Sequence, residues 1–139
     1  MKRGSLFLAV LIWVVASCAP ASPTPTAIPA DESLPILLTP AEVKARLERG
    51  GVIVLDVREP QEWTDDGHIE GAVLIPLEQL PDRFDELNPD DEIILVCRSG
   101  SRSAAARAFL SAQGFSNLHE LRGGMRAWAA DGLSMAYGQ

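Results

Sequence analysis

The residues of this sequence best suited to chemistry are seven consecutive ones, Cys97 to Ser103, which read CRSGSRS. They follow an apolar run, Ile93 to Val96, which predicts a short strand buried on both faces. Small polar residues between a strand and a helix can turn successive backbone N–H groups inward, and such a ring of amides binds anions. A cysteine placed there should have its thiolate favoured, and the thiolate is the nucleophilic form. The segment therefore predicts covalent catalysis through the sulfur of Cys97.

Two enzyme chemistries use a cysteine held in such a loop. Gly100 allows the tight backbone that the loop needs, and the guanidiniums of Arg98 and Arg102 should add positive charge near the sulfur. Cysteine phosphatases have five residues between the cysteine and the binding arginine, whereas four separate Cys97 from Arg102. The shorter loop favours a smaller guest, a single extra sulfur atom held as a persulfide, over a phosphatase or arsenate reductase. A third alternative is a buried cysteine that only fills the end of a strand.

Predicted strands and helices alternate around this loop. The predicted strands are 52–55, 72–75, 93–96 and 117–121. The predicted helices are a first one from Pro40 to Gly50 with a Thr39–Glu42 capping box, one turn at 59–63, an interrupted helix at 77–87, and helices at 103–112 and 125–130. The alternation predicts an α/β fold with a largely parallel sheet. Ligands bind such sheets beyond the carboxyl ends of the strands, where Cys97 is expected to lie.

The first residues have the pattern of an export signal. Lys2 and Arg3 precede an apolar run of 11 residues, Leu6 to Ala16, which is too short to cross a bilayer of about 30 Å as a helix. The run ends in Val-Ala-Ser-Cys at Cys18, which resembles the bacterial lipobox. We therefore expect residues 1–17 to be a lipoprotein signal peptide and Cys18 to carry the lipid, with an ordinary secretory signal as the alternative. This places the protein outside the cytoplasm, lipid-anchored to the outer face of the cell membrane or in the periplasm.

The next segment, 18–36, is predicted to be an extended linker, and 37–139 the folded domain. Residues 19–35 contain five of the ten prolines, which fix φ and remove hydrogen-bond donors. If Cys18 is acylated, Cys97 is a lone thiol and no intramolecular disulfide forms. The formal charge of −7 argues against a nucleic-acid partner.

Several further segments resemble the rhodanese family of sulfurtransferases. The segments that carry its first signature are Leu55–Pro60, Glu62–Trp63, Gly67–Ile69, Gly71–Ala72 and Ile75–Pro76. CRSGSRS resembles the active-site loop of the family, and Leu121–Met125 with Trp128 resembles its C-terminal signature. The resemblance covers roughly residues 37–134. It implies a rhodanese-like three-layer fold, with a mainly parallel sheet of about five strands and helices on both faces.

The resemblance also implies an activity and roles for single residues. Sulfane sulfur would move from thiosulfate or a related donor, through a persulfide on catalytic Cys97, to a thiol or cyanide acceptor. The substrate-binding residues would be Arg98, Ser99, Gly100, Ser101 and Arg102. Their amides would surround the sulfur, and Arg102 would orient an anionic donor. Asp56, Arg58 and Ser103 would support the loop, Ser103 as the first residue of the following helix.

The remaining conspicuous residues are expected to be structural. His68 should be a satisfied structural imidazole, since an ionised thiolate needs no general base, and His119 should lie at the surface. No Cys or His grouping has metal-ligand spacing, so neither a metal nor a cofactor is expected. The alternative to an enzyme is a non-catalytic rhodanese-like module that binds a partner or presents a persulfide to one.

Overall fold

The computed structural model describes residues 35–138. The predicted signal peptide 1–17, Cys18 and most of the predicted linker 18–36 lie outside the described residues. The elements in chain order are β1 (Leu37–Leu38), α1 (Pro40–Arg49), β2 (Val52–Asp56), α2 (Pro60–Asp66), β3 (Val73–Leu74), α3 (Leu80–Arg83), β4 (Glu92–Val96), α4 (Ser101–Ala112), β5 (Leu118–Leu121) and α5 (Gly124–Ala130). Single 3₁₀ turns lie at Leu77–Gln79 and Phe84–Glu86. No helix in this part of the chain is long and apolar enough to cross a membrane.

The five strands form one parallel sheet in the order β1-β5-β4-β2-β3. This confirms the predicted α/β class and the five strands that the family resemblance implies. The apolar runs of the sequence indicate only four of these strands. The fifth, β1, has two residues and pairs with β5, so it has no periodicity of its own to detect. Because β4 lies in the middle of the sheet, Cys97 follows the central strand directly.

The sheet has a separate apolar core on each face, which makes three layers. On one face, alternate residues of β2 and β4 such as Leu55 and Leu95 pack against α3 and α4. On the other face, the intervening residues such as Val54 and Ile94 pack against α1 and α5. Strands buried on both sides read as continuous apolar runs, which is why the sequence indicates them clearly. The layers confirm the predicted three-layer architecture.

The helix boundaries differ from the prediction at several places. The capping box of α1 is present, since Glu42 N donates to Thr39 Oγ1 at 3.3 Å and Thr39 N donates to Glu42 Oε2 at 2.8 Å. The segment 77–87 is divided into α3 and two 3₁₀ turns rather than one interrupted helix. Helix α4 begins at Ser101, so the prediction that Ser103 opens this helix is wrong. Gly100, with φ of +121°, makes the sharp turn that lets the helix begin two residues earlier.

The prediction that His119 lies at the surface is also wrong. This side chain on β5 is 1% exposed. Its Nδ1 lies 2.8 Å from the carbonyl oxygen of Pro35, and its Nε2 lies 3.2 Å from Asn117 Oδ1. All four residues of β5 are buried, because β1 covers the outer edge of this strand. A histidine beside a glutamate in a four-residue strand gives no sequence signal of such burial.

Candidate active site

Cys97 is the residue around which the site is built. It lies immediately after β4, and its side chain is almost completely buried, at 1% exposure. The loop 98–100 turns back over it, and the backbone N–H of Gly100 donates to Cys97 Sγ at 3.0 Å. Ser99 and Ser101 are exposed on the outside of the turn. The loop therefore presents backbone donors to the sulfur, as the spacing predicts.

Hydrogen bonds from the loop favour the thiolate form of Cys97 over the thiol. Burial by itself raises the pKa of this thiol. The hydroxyl and amide of Ser103 and the amides of Gly100 and Ser99 act in the opposite direction, and together they lower the pKa of Cys97 below its ordinary value. The Ser103 hydroxyl is completely buried and makes no hydrogen bond of standard geometry within the described chain. Its contact with the sulfur is therefore looser than that of Gly100.

Helix α5 holds the loop from behind. Met125 N donates to the Cys97 carbonyl at 2.8 Å, and Arg126 N donates to the Arg98 carbonyl at 3.2 Å. Gly124 allows this approach, because a Cβ there would lie 2.3 Å from the Cys97 carbonyl oxygen. The sequence analysis assigned Gly124 no role in the site. The pair Gly123–Gly124 was the available signal, since two glycines at a helix start are uncommon without a close backbone approach.

Asp56 and Arg58 form a completely buried ion pair. Arg58 Nε donates to both carboxylate oxygens at 3.0 Å, and Nη2 donates to Asp56 Oδ2 at 2.7 Å and to the Gly67 carbonyl at 2.9 Å. In the described chain the Asp56 carboxylate makes no hydrogen bond to residues 97–103, so its predicted direct support of the loop is replaced by support of the segment after α2. The ends of the two strands are joined through the backbone just before Cys97, since Val57 N donates to the Val96 carbonyl at 2.9 Å.

Arg102 is held by a carboxylate that the sequence analysis did not assign to the site. Its Nη1 and Nη2 donate to the two carboxylate oxygens of Glu62 at 2.6 and 2.7 Å. This bidentate bond to Arg102 lowers the pKa of Glu62 to about 2, so Glu62 is ionised at any physiological pH. The same bond raises the pKa of Arg102, to which the nearby Cys97 thiolate also contributes. Glu62 and Arg102 are 40 positions apart, and nothing in the local sequence pairs them.

Arg98 is placed differently from Arg102. It is exposed and lines a cleft of about 270 Å³ together with Arg58, Asp66, Met125, Arg126, Ala129 and Met135. Within residues 35–138 neither Arg98 nor Arg126 forms a salt bridge, whereas Arg102 does. The two loop arginines therefore differ in their availability to an anion. In the described chain the guanidinium of Arg98 has no carboxylate partner, whereas that of Arg102 is paired with Glu62.

His68 and Trp63 form a stacked pair below the loop region. Their ring centroids are 3.7 Å apart, with an interplanar angle of 13°. The backbone of His68 pairs with Ala136, but its buried Nδ1 has no hydrogen-bond partner in the described chain. The imidazole is thus structural but not fully satisfied. Residues 35–138 contain no group of three side chains arranged to hold a metal ion.

Comparison with known proteins relates this site to an established family. The family model for the rhodanese-like domain matches residues 39–131. A sulfurtransferase of Allochromatium vinosum is 40% identical over 82 residues, which cover 59% of this chain and 76% of that protein. The thiosulfate sulfurtransferase GlpE of Stutzerimonas stutzeri is 33% identical over 89 residues, which cover 64% of this chain and 81% of that protein.

The fold is also similar to solved structures. A rhodanese-related protein from Thermoplasma volcanium superposes with a TM-score of 0.67 at 32% sequence identity. The match covers 73% of this chain and 97% of that one. The similarity therefore extends over most of the described residues and includes the elements that hold Cys97.

Proposed function

Since the chain belongs to the rhodanese-like family, we propose that it transfers sulfane sulfur from thiosulfate or a related donor, through a persulfide on Cys97, to a thiol or cyanide acceptor. The observation that carries this proposal is the buried sulfur of Cys97 facing backbone donors, with Gly100 N at 3.0 Å. The sulfurtransferase names of its relatives support the same class of reaction.

The first half-reaction is a nucleophilic attack by the Cys97 thiolate on the outer sulfur of the donor. A new S–S bond forms, the S–S bond of the donor breaks, and its electron pair leaves with sulfite when thiosulfate is the donor. Cys97 then carries a persulfide. The hydrogen bonds that lower the pKa of Cys97 below its ordinary value favour the attacking thiolate.

In the second half-reaction the acceptor attacks the terminal sulfur of the persulfide. The Cys97–S bond breaks, its electron pair returns to Cys97 as thiolate, and the product is thiocyanate or a new persulfide. The terminal sulfur of the enzyme persulfide carries negative charge, which the inward backbone N–H groups of the loop stabilise. A loop with four residues between Cys97 and Arg102 provides room for this one atom.

Intact mass measurement tests this function directly. After exposure of the protein to thiosulfate, the mass should increase by one sulfur atom, and cyanide should remove that atom as thiocyanate. Cys97→Ser should show neither change. A wild-type protein that gains no sulfur from any sulfane donor would contradict the proposal. A protein that gains the sulfur but releases none to cyanide or thiols would instead be a carrier that presents its persulfide to a partner.

We propose further that the domain acts outside the cytoplasm, attached to the membrane by lipid on Cys18. The support comes from the sequence: a short apolar run ends at Val-Ala-Ser-Cys, and a proline-rich segment separates it from the domain. The physiological reaction would then use donors and acceptors present at the outer face of the membrane or in the periplasm.

A further inference from the structure

The feature from which we infer a further property is the ion pair between Glu62 of α2 and Arg102, at the start of the helix that follows the Cys97 loop. Arg102 lies in the first turn of α4, five residues after the nucleophile, and its guanidinium senses the charge of the Cys97 thiolate. Arg102 is partly buried, whereas Arg98 is exposed, and this makes Arg102 a candidate to meet the anionic end of a sulfur donor. Both of its terminal nitrogens, however, are already bonded to the carboxylate of Glu62.

The position of Glu62 is fixed from several sides. Its carboxylate also accepts a hydrogen bond from Glu59 N at 3.2 Å. Its backbone carbonyl accepts one from Arg58 Nη1 at 3.4 Å. The side chains of Arg102 and Glu62 are 29% and 19% exposed, so the pair is partly exposed to solvent and does not lie in the core. A carboxylate held in this way stays beside the entering donor.

A bidentate carboxylate affects donors of different charge unequally. A dianion that approaches Arg102 must either displace Glu62 or bind beside its negative charge, and both are unfavourable in a partly buried site. A donor with one negative charge, or with a neutral group at this end, meets a neutralised pair and is repelled less. Charge selection by a like-charged residue at a binding site is a common means of specificity.

We propose that Glu62 is a specificity-determining residue that disfavours dianionic sulfur donors such as thiosulfate, so that the enzyme prefers sulfane donors with a single negative charge, of the thiosulfonate and alkyl persulfide class. The inference rests on the proposed function, because it concerns the donor of the same persulfide. In the resting enzyme Arg102 is then paired with Glu62. A donor that binds at Arg102 must compete with the Glu62 carboxylate.

Two matched donors test the proposal. Thiosulfate and the methanethiosulfonate anion both offer one terminal sulfur, but a methyl group in the second replaces an anionic oxygen of the first. With thiosulfate the Cys97 thiolate gains sulfur and sulfite leaves. With methanethiosulfonate methanesulfinate leaves, and atoms and charge balance in both reactions. Comparing the ratio of the two kcat/KM values between variants cancels the difference in leaving group.

The informative variant is Glu62→Gln, which removes the charge and keeps an oxygen that can accept from Glu59 N or Arg102. We expect kcat/KM for thiosulfate to rise about tenfold, and kcat/KM for methanethiosulfonate to change less than about threefold. Glu59→Gln is the matched control, because it removes an exposed carboxylate that also acts on Arg102 but is not bonded to it. This control should change the ratio of the two donors less than about twofold.

Three results would overturn the inference. An unchanged or lowered thiosulfate rate in Glu62→Gln would show that the carboxylate positions Arg102 for the donor. An equal rise in kcat/KM for both donors would show that Glu62 acts on the Cys97 thiolate and not on the donor. A change in the donor ratio that is equally large in Glu59→Gln would show that any nearby negative charge has the same effect. If neither donor adds sulfur to wild-type Cys97, the proposed function fails as well, whereas sulfur uptake with an unchanged donor ratio overturns only this inference.

A measurement on the unmodified protein makes the test independent of folding of the variant. Sulfate and methanesulfonate, which differ by the same oxygen-to-methyl change, are compared as competitive inhibitors of sulfur uptake from methanethiosulfonate. The dianion should inhibit no better than the monoanion. Tenfold tighter inhibition by sulfate would overturn the proposal, because it would show that Glu62 does not hinder the binding of dianions.

Discussion

The thiol of Cys97 is controlled by a small number of hydrogen-bond donors, of which Ser103 is the most open to experiment. Its hydroxyl and amide are among the groups that lower the pKa of Cys97 against the effect of burial. Because the side chain of Ser103 is completely buried, water cannot replace its hydroxyl without a rearrangement. Loss of this hydroxyl should therefore weaken the stabilisation of the thiolate, to which the amides of Gly100 and Ser99 also contribute.

Ser103→Ala should raise the pKa of Cys97 and lower the rate of its alkylation by iodoacetamide at pH 7 by at most about fivefold, the scale of one ordinary hydrogen bond, because Ser103 contacts the sulfur more loosely than Gly100 does. The sign follows from the lowered pKa of the native thiol: with one donor removed, the same thiolate fraction is reached only at higher pH. The measurement is the alkylation rate as a function of pH. Ser101→Ala is the control, since Ser101 is exposed, and its profile should not move. A wild-type profile in Ser103→Ala would show that the backbone amides suffice.

At the scale of elements, the approach of α5 to the active-site loop is the contact that most constrains the site. Gly124 has φ of +61°, and an added Cβ would lie 2.3 Å from the Cys97 carbonyl oxygen and 2.7 Å from Arg98 carbonyl atoms. Backbone atoms cannot move aside as a flexible side chain can. Any side chain at this position should therefore displace the loop, the helix or both.

Gly124→Ala should destabilise the protein and also slow sulfur uptake at Cys97. Gly132→Ala is a matched control, because Gly132 also has positive φ, +67°, but nothing lies within 4 Å of its added Cβ. The control should cost about 1–2 kcal/mol from the backbone conformation alone, and Gly124→Ala at least about 2 kcal/mol more. Urea unfolding measures both costs, and alkylation of Cys97 reports the loop. Equal costs in the two variants would show that the loop and α5 separate easily.

The elements also show what the sequence could and could not predict. The strands β2 and β4 and the position of Cys97 were predictable, because strands buried on both faces give continuous apolar runs and a strand-to-helix loop follows at once. The Glu62–Arg102 pair was not, because it joins α2 to α4 across 40 positions, and the sequence predicted Arg102 to bind the donor but gave it no carboxylate partner. The burial of His119 depends on strand β1, which pairs with β5 along its outer edge. This pairing joins distant parts of the chain, so no local sequence pattern encodes it.

At the scale of the whole molecule, the net charge of the protein and the position of its exposed arginines both influence the binding of an anionic donor. The formal charge of −7 repels dianions at long range, in the same sense as Glu62 does at contact, while exposed Arg98 and Arg126 provide a local positive surface beside the loop. Salt screens the long-range part beyond a Debye length of about 8 Å. The net charge therefore acts against dianions at long range, whereas Arg98 and Arg126 act in the opposite sense close to the loop.

The proposed membrane attachment rests on Cys18, which lies outside the described residues. One acyl chain alone binds membranes only marginally, whereas several chains together anchor a protein stably. We predict that Cys18→Ser abolishes labelling with a radioactive fatty acid and either releases the protein or leaves its signal peptide uncut. Cys97→Ser is the control and should be labelled like the wild type. Full labelling of Cys18→Ser would show that the lipid is attached elsewhere, and an unlabelled wild-type protein would show that no such anchor exists.

The attachment of α5 to the loop also has a consequence for the timing of activity. The amides of Met125 and Arg126 that hold the carbonyls of Cys97 and Arg98 belong to residues that the ribosome adds well after the cysteine. A nascent chain carries Cys97 before the helix that fixes its loop has been made. Its sulfur is then a plain thiol, no more reactive than any other cysteine in an unfolded polypeptide. We therefore expect Cys97 to acquire its reactivity only after residues 124–126 have been added and folded against the loop.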